Sequence, residues 1–383
     1  MQTATTFCPI WRLSGLDLYS AFVRPALFKL DAEQAHAMSI KALKMGMHPK
    51  ARGDADPRLQ VELAGLKFSN PLGMAAGYDK NADAPHALLA LGFGHVEVGT
   101  IAPQPQPGNP KPRIFRLVRD RGVINRLGFN SGGHDLGLQN LKRPGSRLSP
   151  KGLVGANLGA NKLSEDFAAD YVVGIERFQP YVDYITINIS SPNTPGLRAL
   201  QGKGPLDDLL MRVSEARLRV QEGTGDHVPV FLKVAPDLNE AEIDTIADAV
   251  RSSSIDALLV SNTTLSRHGL RDTEIASEAG GLSGAPLFER STIILAKFAQ
   301  RLAKETPLIG IGGIHSAETA WQKMEAGASL VQLYSGLIYG GPKLPQDILA
   351  GFSKRLSLEK LSSISDIVGR STNEWASRAL PPA

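Results

Sequence analysis

From residue 69 onward, short apolar runs alternate with amphipathic stretches to near the end of the chain. The runs are Pro71–Ala75, His95–Thr100, Leu153–Leu158, Tyr184–Ile189, Val230–Val234, Ala257–Ser261, Leu308–Ile311 and Leu330–Tyr334. Several of them, such as Ala-Leu-Leu-Val and Leu-Ile-Gly-Ile, show no inside–outside alternation. That is the pattern of strands covered on both faces, hence of a parallel sheet. Leu206–Val220, Glu240–Val250 and Leu287–Leu302 place apolar residues at helical spacing between them. Eight strand–helix units over about 290 residues predict an α/β fold, a (β/α)8 TIM barrel rather than an open doubly wound sheet.

Three segments depart from the repeat. Residues 103–148 are too long for a βα loop and open with a stiff Pro-Gln-Pro-Gln-Pro-Gly-Asn-Pro-Lys-Pro stretch. Alternating Ile-Phe-Arg-Leu-Val follows, which predicts a small hairpin excursion covering one rim. A glycine-containing connection, residues 266–283, follows the sixth strand. Residues 14–47 precede the barrel: Asp31 with Gln34 three positions on reads as a helix N-terminus, Ala35, Met38, Ala42 and Met45 recur at helical spacing, and Gly46 offers a stop. Upstream, Leu16, Tyr19, Phe22, Val23, Ala26, Leu27 and Leu30 form a second apolar stripe interrupted by Pro25. The expected organisation is a helical extension over 1–60, the barrel over 61–369, and a frayed tail over 370–383.

Polar and glycine residues gather just past the strand ends, where barrels of this kind carry their chemistry. The loops after strands seven and eight, Gly310-Ile-Gly-Gly313 and Tyr334-Ser-Gly336, suit a phosphate cradle of backbone amides. Ala75-Ala76-Gly77 leaves room for a flat ring to approach the backbone. Asn157, Asn188 and Ser261 can bond ring nitrogens and carbonyls. Lys233 would place a cation where charge gathers in a reduced ring, or simply form a salt bridge. Asn188-Ile-Ser-Ser-Pro-Asn-Thr194 packs amides and hydroxyls into the turn leaving the fourth strand.

Composition narrows the class. Hydrophobic residues make up 42% of 383 and charged residues 21%, as in a globular core. Cys8 is the only cysteine, so neither a disulfide framework nor a cysteine-rich metal site is expected. No apolar run approaches a bilayer span and no secretory signal is expected at the start. The net charge is +4, yet residues 1–60 hold eight Lys/Arg against five acids. Either a solvated helix face or contact with an anionic membrane surface would account for that excess.

Asn70-Pro-Leu-Gly-Met-Ala-Ala-Gly-Tyr-Asp-Lys80, Val123-Ile-Asn-Arg-Leu-Gly-Phe-Asn130, Asn188 to Thr194, Ser261-Asn-Thr-Thr264 and Leu330-Val-Gln-Leu-Tyr-Ser335 together resemble the dihydroorotate dehydrogenase family. The match runs from about Phe22 to about Gly369. It implies oxidation of dihydroorotate to orotate on bound FMN, in pyrimidine synthesis, with a base taking the C5 proton and hydride leaving C6. Soluble-acceptor members use a cysteine base; here Ser191 holds that place, which implies the class 2, quinone-dependent group. The resemblance assigns catalysis to Ser191 with Thr194 and Phe129 as relay and shield. For FMN it implies Ala76, Gly77, Lys80, Thr100, Asn157, Asn188, Lys233, Ser261, Gly284, Gly313, Tyr334 and Ser335. For the substrate it implies Lys80, Asn125, Arg126, Leu127, Gly128, Phe129, Asn188, Asn193, Asn262 and Thr263. Residues 196–203 would form a mobile flap. Tyr78 stands where many relatives carry Phe.

Phe22 to His36 is similar to the class 2 helical extension that shapes a quinone tunnel, with His36, Arg116 and Tyr334 at its inner end. The implied partners are dihydroorotate or orotate, a membrane quinone and a lipid surface, with no nucleic acid and no obligatory protein partner. The implied location is peripheral, on the cytoplasmic side of the inner membrane. The competing readings are another FMN barrel with a soluble acceptor, including a tRNA dihydrouridine reductase, and a non-catalytic barrel on a membrane surface. The first would want a cysteine acid or base and, for RNA, a broad basic face; the second would not need Lys80, Asn125, Ser191 and Lys233 together.

Overall fold

The computed structural model describes residues 18–51, 56–142, 152–225, 227–302 and 305–382. Cys8, Leu16 and the far end of the 103–148 excursion lie outside them. Eight parallel strands form a closed barrel: β1 Leu72–Met74, β2 His95–Ile101, β3 Leu153–Leu158, β4 Tyr184–Asn188, β5 Val230–Val234, β6 Ala257–Val260, β7 Leu308–Ile311 and β8 Ala328–Leu333. Each pairs with its successor in sequence, and β8 closes on β1 with Val331 opposite Leu72. Strands β2, β4, β5 and β6 are buried at every position, which is why their sequences show no alternation.

Helices shield the outside. Glu240–Arg251 begins with a capping box in which Asn239 and Glu242 satisfy each other's backbone, and it buries Ile243, Ile246, Ala247 and Val250. Helix Phe288–Leu302 buries nine of its fifteen residues, including Arg290. The barrel's N-terminal end is plugged by a hairpin, Val61–Leu63 with Leu66–Phe68, whose Phe68 ring lies edge-on to His95 at 5.2 Å.

The opposite rim carries the excursions. Ile114–Leu117 and Gly122–Asn125 form the expected hairpin, and a third strand, Gly281–Gly284, joins it from the connection after β6. Leu117, Ile124 and Leu282 give this small sheet its own buried centre. Before the barrel, Tyr19–Val23 continues into α1, Arg24–Phe28, and Asp31 caps α2, Ala32–Lys44, through Glu33 and Gln34 amides. Among the described residues no helix is long and apolar enough to cross a membrane.

The end of the chain is not frayed. Helix Thr372–Ala376 buries Trp375, whose ring stands edge-on to Phe288 at 5.9 Å. The Pro382 carbonyl accepts from Ser266 Oγ at 2.7 Å and Arg290 at 3.0 Å. Gly-Arg-Ser-Thr-Asn lacks an apolar stripe, so the single tryptophan that anchors the tail has no periodic signal around it.

Candidate functional site

A cavity of about 530 Å³ runs without interruption from the N-terminal helices to the C-terminal rim of the barrel. That volume lies within the range of small-molecule and cofactor sites, roughly 300–1,000 Å³. Val23, Leu27, Met38 and Ala42 line its outer part, and Ser191, Asn262 and Lys233 its inner part.

Beneath the inner part lies a buried polar network. Glu97, in the middle of β2, accepts from Asn157 Nδ2 at 2.7 Å, Thr186 Oγ1 at 3.0 Å and Gln332 Nε2 at 3.1 Å. Thr100 donates to Asn157 Oδ1 at 2.5 Å, and Asn188 Nδ2 donates to Thr100 Oγ1 at 3.0 Å. Asn188 Oδ1 in turn accepts from Ser190 Oγ at 2.8 Å. With nearly every donor committed, these side chains hold fixed orientations. Lys233 sits beside the network, held below its ordinary range by burial and opposed by the charge of Glu97. Glu97 and Gln332 were not anticipated from the sequence. The signal was there: a carboxylate inside Val-Glu-Val of a strand buried along its length has to be paired.

Ser191 is buried, and its Oγ accepts the Asn193 N–H at 3.2 Å. Its own proton has no acceptor among the described residues. Thr194 Oγ1, three positions on, is buried without a partner among the described residues. Phe129 has a left-handed backbone with φ 50°, next to Gly128 at 69°, and Gln106 Nε2 clamps its carbonyl at 2.8 Å. Its ring lies against Gly159 after β3, where an added Cβ would come within 3.0 Å. Asn193 Nδ2 donates to the Asn125 carbonyl at 3.2 Å, which ties the β4 turn to the covering sheet. Asn262 Nδ2 donates to Ser190 Oγ at 2.9 Å, and Thr263 lines the cavity with it.

Lys80 is hydrogen-bonded to Asn130 Oδ1. Burial, and then repulsion from Arg113, lowers its pKa to about 7. Arg113 is itself fixed by Glu33 of α2 at 2.6 Å and by the Pro107 and Asn109 carbonyls. The helical extension, the covering sheet and the site cation therefore belong to one electrostatic cluster.

Bare backbone borders the cavity where glycines allow it. Gly77 has φ +105°, and a Cβ there would reach the Tyr334 ring at 3.4 Å. Gly284, Gly312 and Gly313 all have positive φ, and Ser283 and Ser335 share a hydrogen bond of 2.8 Å across the loops. Helix Ser335–Gly340 starts directly after β8 and Tyr334. Ala76, Ser261, Leu127 and Ser335 also line the cavity.

Between the two parts of the cavity stands an aromatic trio. Tyr78 lies 5.1 Å from His36 and 5.5 Å from Tyr334, both edge-on. Burial, then the Lys80 charge, pushes His36 down to about 4, so its imidazole is neutral near pH 7. Arg116 also lines the cavity; its guanidinium packs 4.8 Å over Phe28 and donates to the Leu30 carbonyl at 3.0 Å.

Three residues expected at the site do not line the cavity. Asn157 lies beneath it, in the network. Thr194 is covered by the turn. The Arg126 guanidinium turns away to pair with Glu278 at 2.6 Å and to lie over Phe115 at 4.5 Å. The segment 196–203, expected as a flap, is closed: Leu197 is fully buried, and Arg198 binds the Ser190 carbonyl, Asp237 and the Thr263 carbonyl.

The model of the dihydroorotate dehydrogenase family matches residues 58–356. A Brucella melitensis protein named dihydroorotate dehydrogenase (quinone) is 57% identical over 368 residues, covering 96% of this chain and all of its own. The Brucella ovis protein of that name is 56% identical with the same coverage. The crystal structure of an Eimeria tenella dihydroorotate dehydrogenase in complex with ferulenol superposes with a TM-score of 0.86 at 36% identity, covering 91% of this chain and 98% of that one. Its ligand-free form gives 0.84 at 38%, covering 89% and 99%. With the barrel, the rim geometry and the near full-length likeness in agreement, this chain belongs to the dihydroorotate dehydrogenase family, in its class 2, quinone-dependent branch.

Proposed function

We propose that the protein oxidises dihydroorotate to orotate at Ser191, using FMN, and delivers the electrons to a membrane quinone in pyrimidine biosynthesis. The observation that carries this reading is the single cavity joining a polar, amide-rich inner chamber to an apolar mouth. A soluble acceptor would need no such mouth.

The residues fit FMN. Gln332 Oε1 is a buried acceptor without a partner among the described residues, suited to a ring N–H, and Gln332 borders the cavity. Gly77 admits a flat ring, Gly284, Gly312 and Gly313 bring bare backbone to a phosphate, and Lys233 offers a cation beside the ring. Ala76, Thr100, Asn188, Ser261, Tyr334 and Ser335 complete the lining, with Asn157 orienting Thr100 and Asn188 from below. FMN, when bound, supplies the acceptor for the C6 hydride and the electrons for the quinone.

The chain's own groups do the rest. Lys80 meets the substrate carboxylate, and Asn125, Asn193, Asn262 and Thr263 offer amide and hydroxyl partners for the ring edge. Ser191 Oγ receives the C5 proton as it passes its own hydroxyl proton to the relay through Thr194 and on to solvent. Phe129 and the closed 196–203 segment keep bulk water out, which a weak alcohol base requires. His36, Arg116 and Tyr334 meet the quinone head. Phe22, Leu30, Met38, Met45 and Met47 are exposed on the helical extension and would enter a lipid surface, which supports a peripheral attachment; the cytoplasmic side of the inner membrane is the location this reading assigns.

The purified protein should be yellow. Anaerobic dihydroorotate should bleach it, and a ubiquinone analogue should restore the colour where fumarate and NAD do not. A colourless protein after FMN addition, or recolouring by fumarate alone, would overturn the reading.

A further inference from the structure

Lys323 is fully buried on helix Ala317–Glu325, and no mechanism above uses it. Its ammonium donates to Ser291 Oγ at 2.7 Å and lies 5.0 Å over the Phe288 ring. Among the described residues no carboxylate pairs with it, and burial alone holds it well below the ordinary lysine range. A cation so placed is costly unless something compensates it.

Ser291 points onward. Its one hydroxyl proton is shared between the Phe288 carbonyl of its own helix at 3.1 Å and the Gly312 carbonyl at 3.2 Å, in the turn after β7. A trans peptide is planar, with its C=O and N–H on opposite sides. Holding the Gly312 carbonyl toward Ser291, in the helix layer, therefore turns the Gly313 N–H the other way, toward the cavity that both glycines line. Neither glycine has room for a side chain, so this turn packs its bare backbone directly on the helix. A Cβ on Gly312 would meet Ser291 Oγ at 2.8 Å, and one on Gly313 would meet Phe288 Cα at 2.3 Å.

Resting on the FMN reading above, we propose that Lys323, through Ser291, is a positioning residue for the phosphate of the flavin. The relay aims the Gly313 amide and polarises it, since bonds in series strengthen one another. The phosphate in turn favours the charged form of the lysine, which has no carboxylate partner among the described residues. Both effects act on the phosphate and neither touches the ring.

Lys323→Met keeps the length and apolar stem of the side chain while removing its charge and donor. The flavin-stripped full chain is titrated with FMN and with riboflavin, which lacks the phosphate, followed by quenching of flavin fluorescence. The expected result is at least a tenfold loss of FMN affinity with riboflavin affinity changed less than about threefold, and a flavin-free melting temperature unchanged or raised. Equal weakening of both flavins, or no weakening of either, would overturn the proposal. Ser291→Ala, which keeps the lysine but cuts the link to Gly312, should show the same FMN-selective loss and decides the matter if the first variant does not fold. Failure of the unaltered protein to bind FMN would instead count against the function proposed above.

Discussion

The barrel rim and the N-terminal helices border the same cavity but are built on opposite terms. At the rim and just beneath it, polar side chains are buried and mostly tied into one network, in which Glu97 alone accepts three bonds. In α1, α2 and their flanks, apolar side chains are exposed. Five of the large hydrophobics left open to solvent, Phe22, Leu30, Met38, Met45 and Met47, fall within residues 22–47. Rigid polar order suits a reaction that needs a proton acceptor in a fixed place. Loose apolar exposure suits a surface completed by something outside the chain. The two regions should therefore fail differently when altered.

The strongest test of that contrast is Ser191→Ala. Positioned acid–base groups contribute roughly 10²–10⁴-fold, so turnover with dihydroorotate should fall by that factor while bound flavin and melting temperature stay as they are. Turnover within a few-fold of the unaltered protein would remove Ser191 from the base role. Next comes Phe22→Glu combined with Met38→Glu. Burying each apolar side chain in lipid is worth about 1.5–3 kcal/mol, so binding to anionic vesicles should drop at least about a hundredfold. Reduction of the flavin by dihydroorotate should be untouched. Equal loss in both assays would mean that the helices serve the barrel's packing and not a membrane.

The same contrast decided what the sequence could reveal. Buried parallel strands leave unbroken Val/Ile/Leu runs, so all eight could be located, with shifts at their ends such as Leu330–Tyr334 against Ala328–Leu333. Strand exits carry their polarity in local clusters, and so Ser191, Asn262 and Lys80 stood out. What stayed hidden depends on contacts remote in sequence. Strand Gly281–Gly284 pairs with Gly122–Asn125, and nothing local in either segment names its partner. Lys323 in Trp-Gln-Lys-Met reads as an exposed helix position until the barrel closes over it. Arg126 stands inside a family motif, yet Glu278, some 150 residues away, draws its side chain outward.

A smaller effect separates the regions by pH. Burial, then Arg113, lowers the Lys80 pKa to about 7, and a bound carboxylate favours its charged form and raises that value. Orotate affinity gained from the cation is thus complete below about 7 and lost as pH rises from there toward the bound value. Orotate should bind roughly tenfold more weakly at about pH 8.5 than at about pH 6.5, read from the flavin absorbance change. Vesicle binding through the exposed apolar residues should show no step there. An orotate affinity that is flat over the interval would show that Lys80 does not meet the carboxylate as a titrating cation.

The smallest expected effect lies where the two regions touch. Tyr78 Oη, on the rim, donates to Ser39 Oγ of α2 at 2.9 Å, and Ser39 donates to the His36 carbonyl at 2.7 Å. This chain of two bonds holds α2, and with it the His36 ring, against the aromatic trio. Burial raises the Tyr78 hydroxyl to about 12, so it stays a donor at any working pH. Tyr78→Phe keeps the ring contacts with His36 and Tyr334 and removes only this tie. A single such bond contributes about 0.5–1.5 kcal/mol net, hence roughly a two- to tenfold rise in KM for the quinone as α2 loosens. The rate of flavin reduction by dihydroorotate should not change, because the Ser191 turn and the Glu97 network make no bond to that hydroxyl. A change confined to the dihydroorotate step would place Tyr78 with the rim; a change confined to the quinone step makes it the seam through which the ordered half holds the loose one.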